Sequence, residues 1–183
     1  MISITKGTIG FDSSLFSIEE TNFDCGKVHV LMGRNGIGKS AFLHTLSGLI
    51  QAQEGIFDCD GKPLSQYSSK ELSKKIAYVS SSPVGVPFLS VDAYLMLGRS
   101  RFTNVFGRAD SSDLALVEEA KDLFGISHLA EKFTNELSSG ELHLCSIAKA
   151  YVQQTDYILL DEPTSHLDYA NKRKVYELLG KMA

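Results

Sequence analysis

Short apolar runs rich in β-branched residues alternate along the chain with longer segments of helical period, which predicts a layered α/β fold. The clearest strands are VHVLM (Val28 to Met32), KIAYVS (Lys75 to Ser80) and YILL (Tyr157 to Leu160). Helices are predicted after Gly38, over Val91 to Gly98, Ser111 to Phe124 and Ser139 to Val152, and from Tyr169 onward. The first 27 residues and the stretch Gly55 to Leu64 read as short strands and turns, a small antiparallel sheet. Between Val91 and Glu136 the pattern holds helices and polar, Gly-containing loops but no strand, so this part reads as a helical insertion between two core strands. The expected division is a first part of the core over 1–81, a helical subdomain over 82–150 and a second part of the core over 151–183. The last helix has apolar positions at Val175, Leu178, Leu179 and Met182, and no strand follows to cover them. An uncovered helix face and an open sheet edge are therefore expected, both prone to association.

Composition narrows the partners. The 183 residues are 43% hydrophobic, enough for a sizeable core, and carry a net charge of −4, which argues against a surface built for nucleic-acid phosphates. Cys25, Cys59 and Cys145 are widely spaced with no CxxC pair, so neither a disulfide framework nor a zinc site is indicated, and reduced, partly buried thiols are expected. The start MISITKGTIG lacks the charged and apolar regions of a secretory signal, and no run approaches 18 apolar residues. Any membrane role has to come through a partner.

The stretch GRNGIGKS fits G-x-x-x-x-G-K-[ST] with Gly33, Gly38, Lys39 and Ser40 in the required places. Such a loop needs glycine because backbone N–H groups must converge on phosphate oxygens without side chains in the way. Lys39 supplies a point charge for the outer phosphates, and the Ser40 hydroxyl can ligate Mg²⁺. The candidate binding loop is Gly33, Arg34, Asn35, Gly36, Ile37, Gly38, Lys39, Ser40 and Ala41, opening a helix whose N-terminus favours anions.

A second site stands at YILLDEP. Asp161 and Glu162 end a continuously apolar run, as expected for a strand buried on both faces. Ligands of open α/β sheets sit at the carboxyl ends of strands, so both acids should face the phosphates. Asp161 then holds the Mg²⁺ shell through water, and Glu162 orients or deprotonates the attacking water.

LSSGELHLCSIAKAYV has a local explanation, because Ser138 and Glu141 form an S-x-x-E capping box at the start of an amphipathic helix. Its place in the order GRNGIGKS, LSSGE, YILLDEP, SHLD adds a second one. That order resembles the ATP-binding-cassette (ABC) ATPases: LSSGE is similar to their LSGGQ signature and SHLD to their D-loop. The likeness runs from about Phe11 to the end, and VDAYLMLGRSRF, GISHLAEKFTNELSSGE and DEPTSHLDYAN look most like the import ATPases for iron-siderophore, haem and cobalamin.

The resemblance implies a P-loop NTPase core with a mostly parallel sheet and a small N-terminal antiparallel portion. It also implies an ATPase binding ATP and Mg²⁺, which works as a head-to-tail homodimer beneath a membrane permease on the cytoplasmic face. Signature residues Ser138, Ser139, Gly140 and Glu141 would close over ATP from the other subunit. Ser165, His166, Leu167 and Asp168 would form the D-loop, and Phe11 would stack on adenine.

Three departures stand against the family pattern. Ser81 occupies the place of the Gln expected after KIAYVS, and its hydroxyl is too short to read the γ-phosphate except through water. Ser139 and Glu141 replace the usual Gly and Gln of the signature, adding bulk and negative charge. A switch histidine is expected on a strand beyond the Tyr169 helix, and none of His29, His44, His128, His143 and His166 is in that place; surface or packing roles are expected for them. A truncated product with slow turnover follows as an expectation. The alternative is a nucleotide-binding regulatory module, or a non-transport ABC protein, that binds ATP with little turnover. A DNA-maintenance cassette would carry a long coiled-coil insertion before the signature, where this chain has only a short helical stretch, and a small-molecule kinase leaves LSSGE and SHLD unexplained.

Overall fold

Alternating side chains put Ile2 and Ile4 on one face of the first strand, β1 (Ile2–Gly10), where they are fully buried. The computed structural model describes residues 1–10, 13–100, 110–165 and 167–182. Strand β1 pairs antiparallel with β2 (Ser14–Ile18), β3 (Thr21–Phe23) and β4 (Glu54–Cys59), and β4 pairs with β5 (Lys62–Pro63). Helix α1 (Lys39–Leu46) lays Ala41, Phe42 and Leu46 on this sheet, in a core that also takes Ile76 and Tyr157.

After the one-turn helix α2 (Ser69–Leu72), strand β6 (Ile76–Val79) pairs parallel with β7 (Tyr157–Leu160), Tyr78 lying opposite Leu159. The β6–β7 pair separates two cores. Its Ile76 and Tyr157 face the antiparallel sheet, while Ala77 and Val79 face helices α3 (Val91–Met96), α4 (Ser111–Phe124) and α5 (Ser139–Val152). Ion pairs with at least one buried partner brace that helical side. Arg99 Nε donates to Asp113 at 2.7 Å and its Nη1 to the Val152 carbonyl at 3.0 Å, closing the end of α5. Lys121 bridges to Asp92 at 2.7 Å. Helix α6 (Tyr169–Met182) completes the chain.

The helices at Ser111–Phe124 and Ser139–Val152 begin and end where their periodicity and caps place them, and no strand lies between α3 and α5 among the described residues. Two expectations are corrected. Residues 28–32, read as the strand before the phosphate loop, belong to neither sheet, and Val30 and Met32 are 76% and 86% exposed. A strand needs a partner edge about 4.8 Å away. A cavity of about 580 Å³ lies instead between this segment and β7. The parallel part of the sheet is accordingly the two strands β6 and β7, and the residues of YILL after Tyr157 are only partly buried. The face of α6 is also better covered than expected: Val175 and Leu178 are buried in the helical core, while Leu179 and Met182 border the cavity along with Tyr176 and Gly180.

Candidate functional site

The phosphate-loop segment turns through Gly36 and Gly38, both at positive φ (+79° and +109°), a conformation that glycine adopts without a Cβ penalty. A Cβ on Gly38 would also lie 2.9 Å from the Phe16 ring, so conformation and space both require glycine there. Helix α1 starts at Gly38 with no side-chain cap and no acid in its first turn. Its first N–H groups and its positive dipole end are therefore presented to solvent. Lys39 Nζ donates to the carbonyls of Gly33 (2.9 Å) and Arg34 (3.0 Å), folding the loop around its own cation, and Ser40 is exposed beside it.

Asp161 follows β7 directly. Its N–H donates to the Val79 carbonyl at 3.0 Å, extending the β6–β7 pairing by one residue, and its side chain is buried. Glu162 is exposed with a φ of +48°, a left-handed conformation uncommon outside glycine, and its carbonyl accepts from the Ser165 N–H in a turn. Lys39, Asp161 and Glu162 border the same 580 Å³ cavity. The structure thus joins the two candidate halves of the site across more than 120 residues of sequence.

Residues 138–141 do not line that cavity. Ser138 caps α5: its N–H and hydroxyl donate to Glu141 Oε2 at 2.8 and 2.7 Å, and its oxygen accepts from the Glu141 N–H at 3.3 Å. These bonds, with Lys132 nearby, hold the Glu141 carboxyl below its ordinary range. Ser138 and Ser139 are exposed. Asp168 Oδ1 accepts from the Asn171 N–H at 2.8 Å, so it caps α6, and Leu167 is buried below it. Ser81 is half-buried just after β6. Phe11 and His166 lie outside the described residues.

Two residues at the site escaped sequence reasoning. His44 stands one helical turn beyond Ser40 on α1, and its Nε2 is 2.8 Å from the Tyr78 hydroxyl, with the rings edge to face. That hydroxyl in turn reaches Asp161 Oδ2 at 3.5 Å. Burial and the Asp161 charge push the Tyr78 phenol above its ordinary value, so it stays a protonated donor at neutral pH. The i, i+4 spacing of Ser40 and His44 was visible in the sequence, but nothing there pointed to Tyr78. His143, expected at the surface or in ordinary packing, is wholly buried in α5. All three cysteines are free, and burial pushes the Cys145 thiol up to about 12.

Comparison with known proteins places these features together. The ABC transporter family profile matches residues 19–165. An uncharacterized ABC transporter ATP-binding protein of Haemophilus influenzae is 40% identical over 168 residues, covering 91% of this chain and 62% of the relative. The iron(3+)-hydroxamate import ATP-binding protein FhuC of Bacillus subtilis is 32% identical over 167 residues, covering 90% of this chain and 62% of FhuC. The chain therefore spans a little under two thirds of the length of these relatives. Among solved structures, an inward-facing metal-chelate type ABC transporter superposes with a TM-score of 0.75 at 30% identity, covering 99% of this chain and 67% of the other. A dimeric ATP-binding cassette bound to ADP and phosphate gives a TM-score of 0.86 at 23% identity, covering 100% of this chain and 82% of that one, a likeness of fold. With its glycine loop, its Asp161–Glu162 pair and a family match over most of its length, this chain belongs to the ABC transporter family.

Proposed function

We propose that the chain is the ATP-binding and hydrolysing part of an ABC importer for iron-siderophore, haem or cobalamin-type chelates, dimerising on ATP beneath a membrane permease. The observation that carries this reading is the convergence of Lys39, Asp161 and Glu162 on one cavity at the uncapped start of α1. Names of relatives, such as that of FhuC, support the importer class. No described helix is long and apolar enough to cross a membrane.

In this proposal the loop from Gly33 to Ala41 receives the phosphates. Its backbone N–H groups and the α1 dipole face them, and Lys39 exchanges the Gly33 and Arg34 carbonyls for phosphate oxygens. The Ser40 hydroxyl and the Asp161 carboxylate are hard oxygen donors of the kind Mg²⁺ takes, so the residues present fit that ion. Bound there, Mg²⁺ would neutralise charge on the outer phosphates. Glu162, exposed at the turn after β7, orients the attacking water and takes its proton. Ser138 to Glu141, outside the cavity, would close over the ATP of a second copy, and Ser165 to Asp168 keep the place of the D-loop. The division into 1–81, 82–150 and 151–183 is part of the same proposal: Tyr157 packs with the first part, while Leu167, Val175 and Leu178 pack with the helical part. Ser81, in the place of a phosphate-reading Gln, favours the second reading, a nucleotide-binding module with little turnover.

One pair of measurements separates the two: MgATP binding and steady-state hydrolysis, with Glu162→Gln as control. Binding with turnover that vanishes in Glu162→Gln supports the ATPase. Binding without turnover supports the regulatory module, and equal turnover in both chains removes the role from Glu162.

A further inference from the structure

The buried Asp161 carboxylate is an acceptor only, so whatever donates to its oxygens decides which way they point. Tyr78 faces Oδ2 from the neighbouring strand, its backbone held in register by the parallel pairing of β6 with β7. At 3.5 Å the contact is long for O–H···O, so the hydroxyl needs help to stay on the carboxylate. His44 Nε2 sits 2.8 Å from the same hydroxyl. The hydroxyl has one proton. If it donates to the imidazole, Asp161 loses its donor; if it accepts from Nε2–H, its proton is free for Oδ2. Ser80 also bonds the hydroxyl, as a second local partner. Only the arrangement with a protonated Nε2 gives every member a partner: Nε2–H to Tyr78, and Tyr78 O–H to Asp161.

We propose that Tyr78, oriented by His44, is a positioning residue for the Asp161 carboxylate, fixing the oxygen geometry that this chain offers to the divalent cation of its nucleotide. The inference rests on the phosphate-loop reading above. It makes one face of α1 serve twice, with Ser40 at its first turn offering a direct ligand and His44 one turn later steadying, through Tyr78, the carboxylate that holds the metal's water shell. A packing role for the His44–Tyr78 pair predicts loss of stability without selectivity for metal. A positioning role predicts loss of metal affinity with nucleotide affinity intact.

The test uses Mn²⁺ as the metal probe, read by electron paramagnetic resonance in the presence of saturating ADP, with ADP affinity measured separately in EDTA. Tyr78→Phe keeps the ring and removes the hydroxyl. Loss of a partner behind a metal ligand commonly weakens metal binding by 10–100-fold, and the long contact here places the expected loss near the low end, about tenfold. ADP affinity in EDTA should stay within about twofold, the scatter expected where no nucleotide contact is removed. His44→Phe should reproduce part of the loss, and His44→Gln, which keeps a side-chain N–H donor, should recover it. Wild-type Mn²⁺ affinity in Tyr78→Phe and His44→Phe overturns the positioning role, as does an equal fall in metal-free ADP affinity. Should Tyr78→Phe fail to fold, the His44→Phe and His44→Gln pair decides alone. Failure of the unaltered chain to bind ADP at all would instead overturn the phosphate-loop reading, and this inference with it.

Discussion

Helix α5 meets solvent with a capped first turn: Ser138 and Glu141 exchange three hydrogen bonds, and a carboxylate sits against the dipole. Helix α1 begins at Gly38 with no cap, no acid in its first turn and a lysine folded over the preceding loop. Both are helix N-termini in glycine- and serine-rich sequence, yet the first is closed on itself and the second is open to an anion. The difference is one of side-chain supply. An end that carries its own acceptors gains stability and has less to offer a ligand, whereas an end without them leaves its N–H groups to water until a phosphate arrives.

Lys39→Ala tests the open end most severely. Removing the lysine that opens α1 should weaken MgATP binding by about a hundredfold, near 2.7 kcal/mol, since bonds to charged groups carry about 1.5–3 kcal/mol each. Unchanged affinity in a calorimetric titration would leave the α1 terminus without the role assigned to it. At the closed end, Ser138→Arg should abolish an ATP-dependent dimer in sedimentation while sparing nucleotide binding by the monomer. A surviving dimer would remove Ser138 to Glu141 from the shared site and leave them as a cap alone.

Smaller effects come from the cap itself. Ser138→Ala should cost about 1 kcal/mol in urea unfolding, with nucleotide binding by the monomer unaltered. Glu141 adds a pH dependence of known sign. Its folded carboxyl titrates below the ordinary value of 4.5 because Ser138 donates to it, so it contributes stability above pH 4.5 and loses that contribution as pH falls through the lower folded value. The stability difference between the natural chain and Glu141→Gln should therefore shrink on going from pH 7 to acid. A constant difference would mean that the charge plays no part in the cap.

The caps, helix spans and glycine loop were legible because each is settled by bonds between residues a few positions apart. Ser111–Phe124 is one case: Asp110 and Asp113 close its start and Gly125, at a φ of +64°, ends it. Residues 28–32 were misread for the opposite reason. Their β-branched, apolar composition is that of a strand, but pairing depends on a neighbouring edge that no local pattern reports. The expectation for α6 failed similarly, since Val175 and Leu178 found cover in the helical core instead of under a further strand.

From the sequence alone came the glycine loop read as a phosphate site, the carboxylates at the end of β7 and the self-capped helix at Ser138, all features of short-range spacing, and, from the order of these motifs, the resemblance to the family. The tertiary structure decided which of these share a cavity. It set β7 beside β6, carried Tyr78 to Asp161 from 83 positions away and turned His44 of α1 onto the same hydroxyl. Those contacts depend on strand register and helix rotation, which are fixed by the packing of two cores against opposite faces of one strand pair, and no local pattern in the chain encodes that packing.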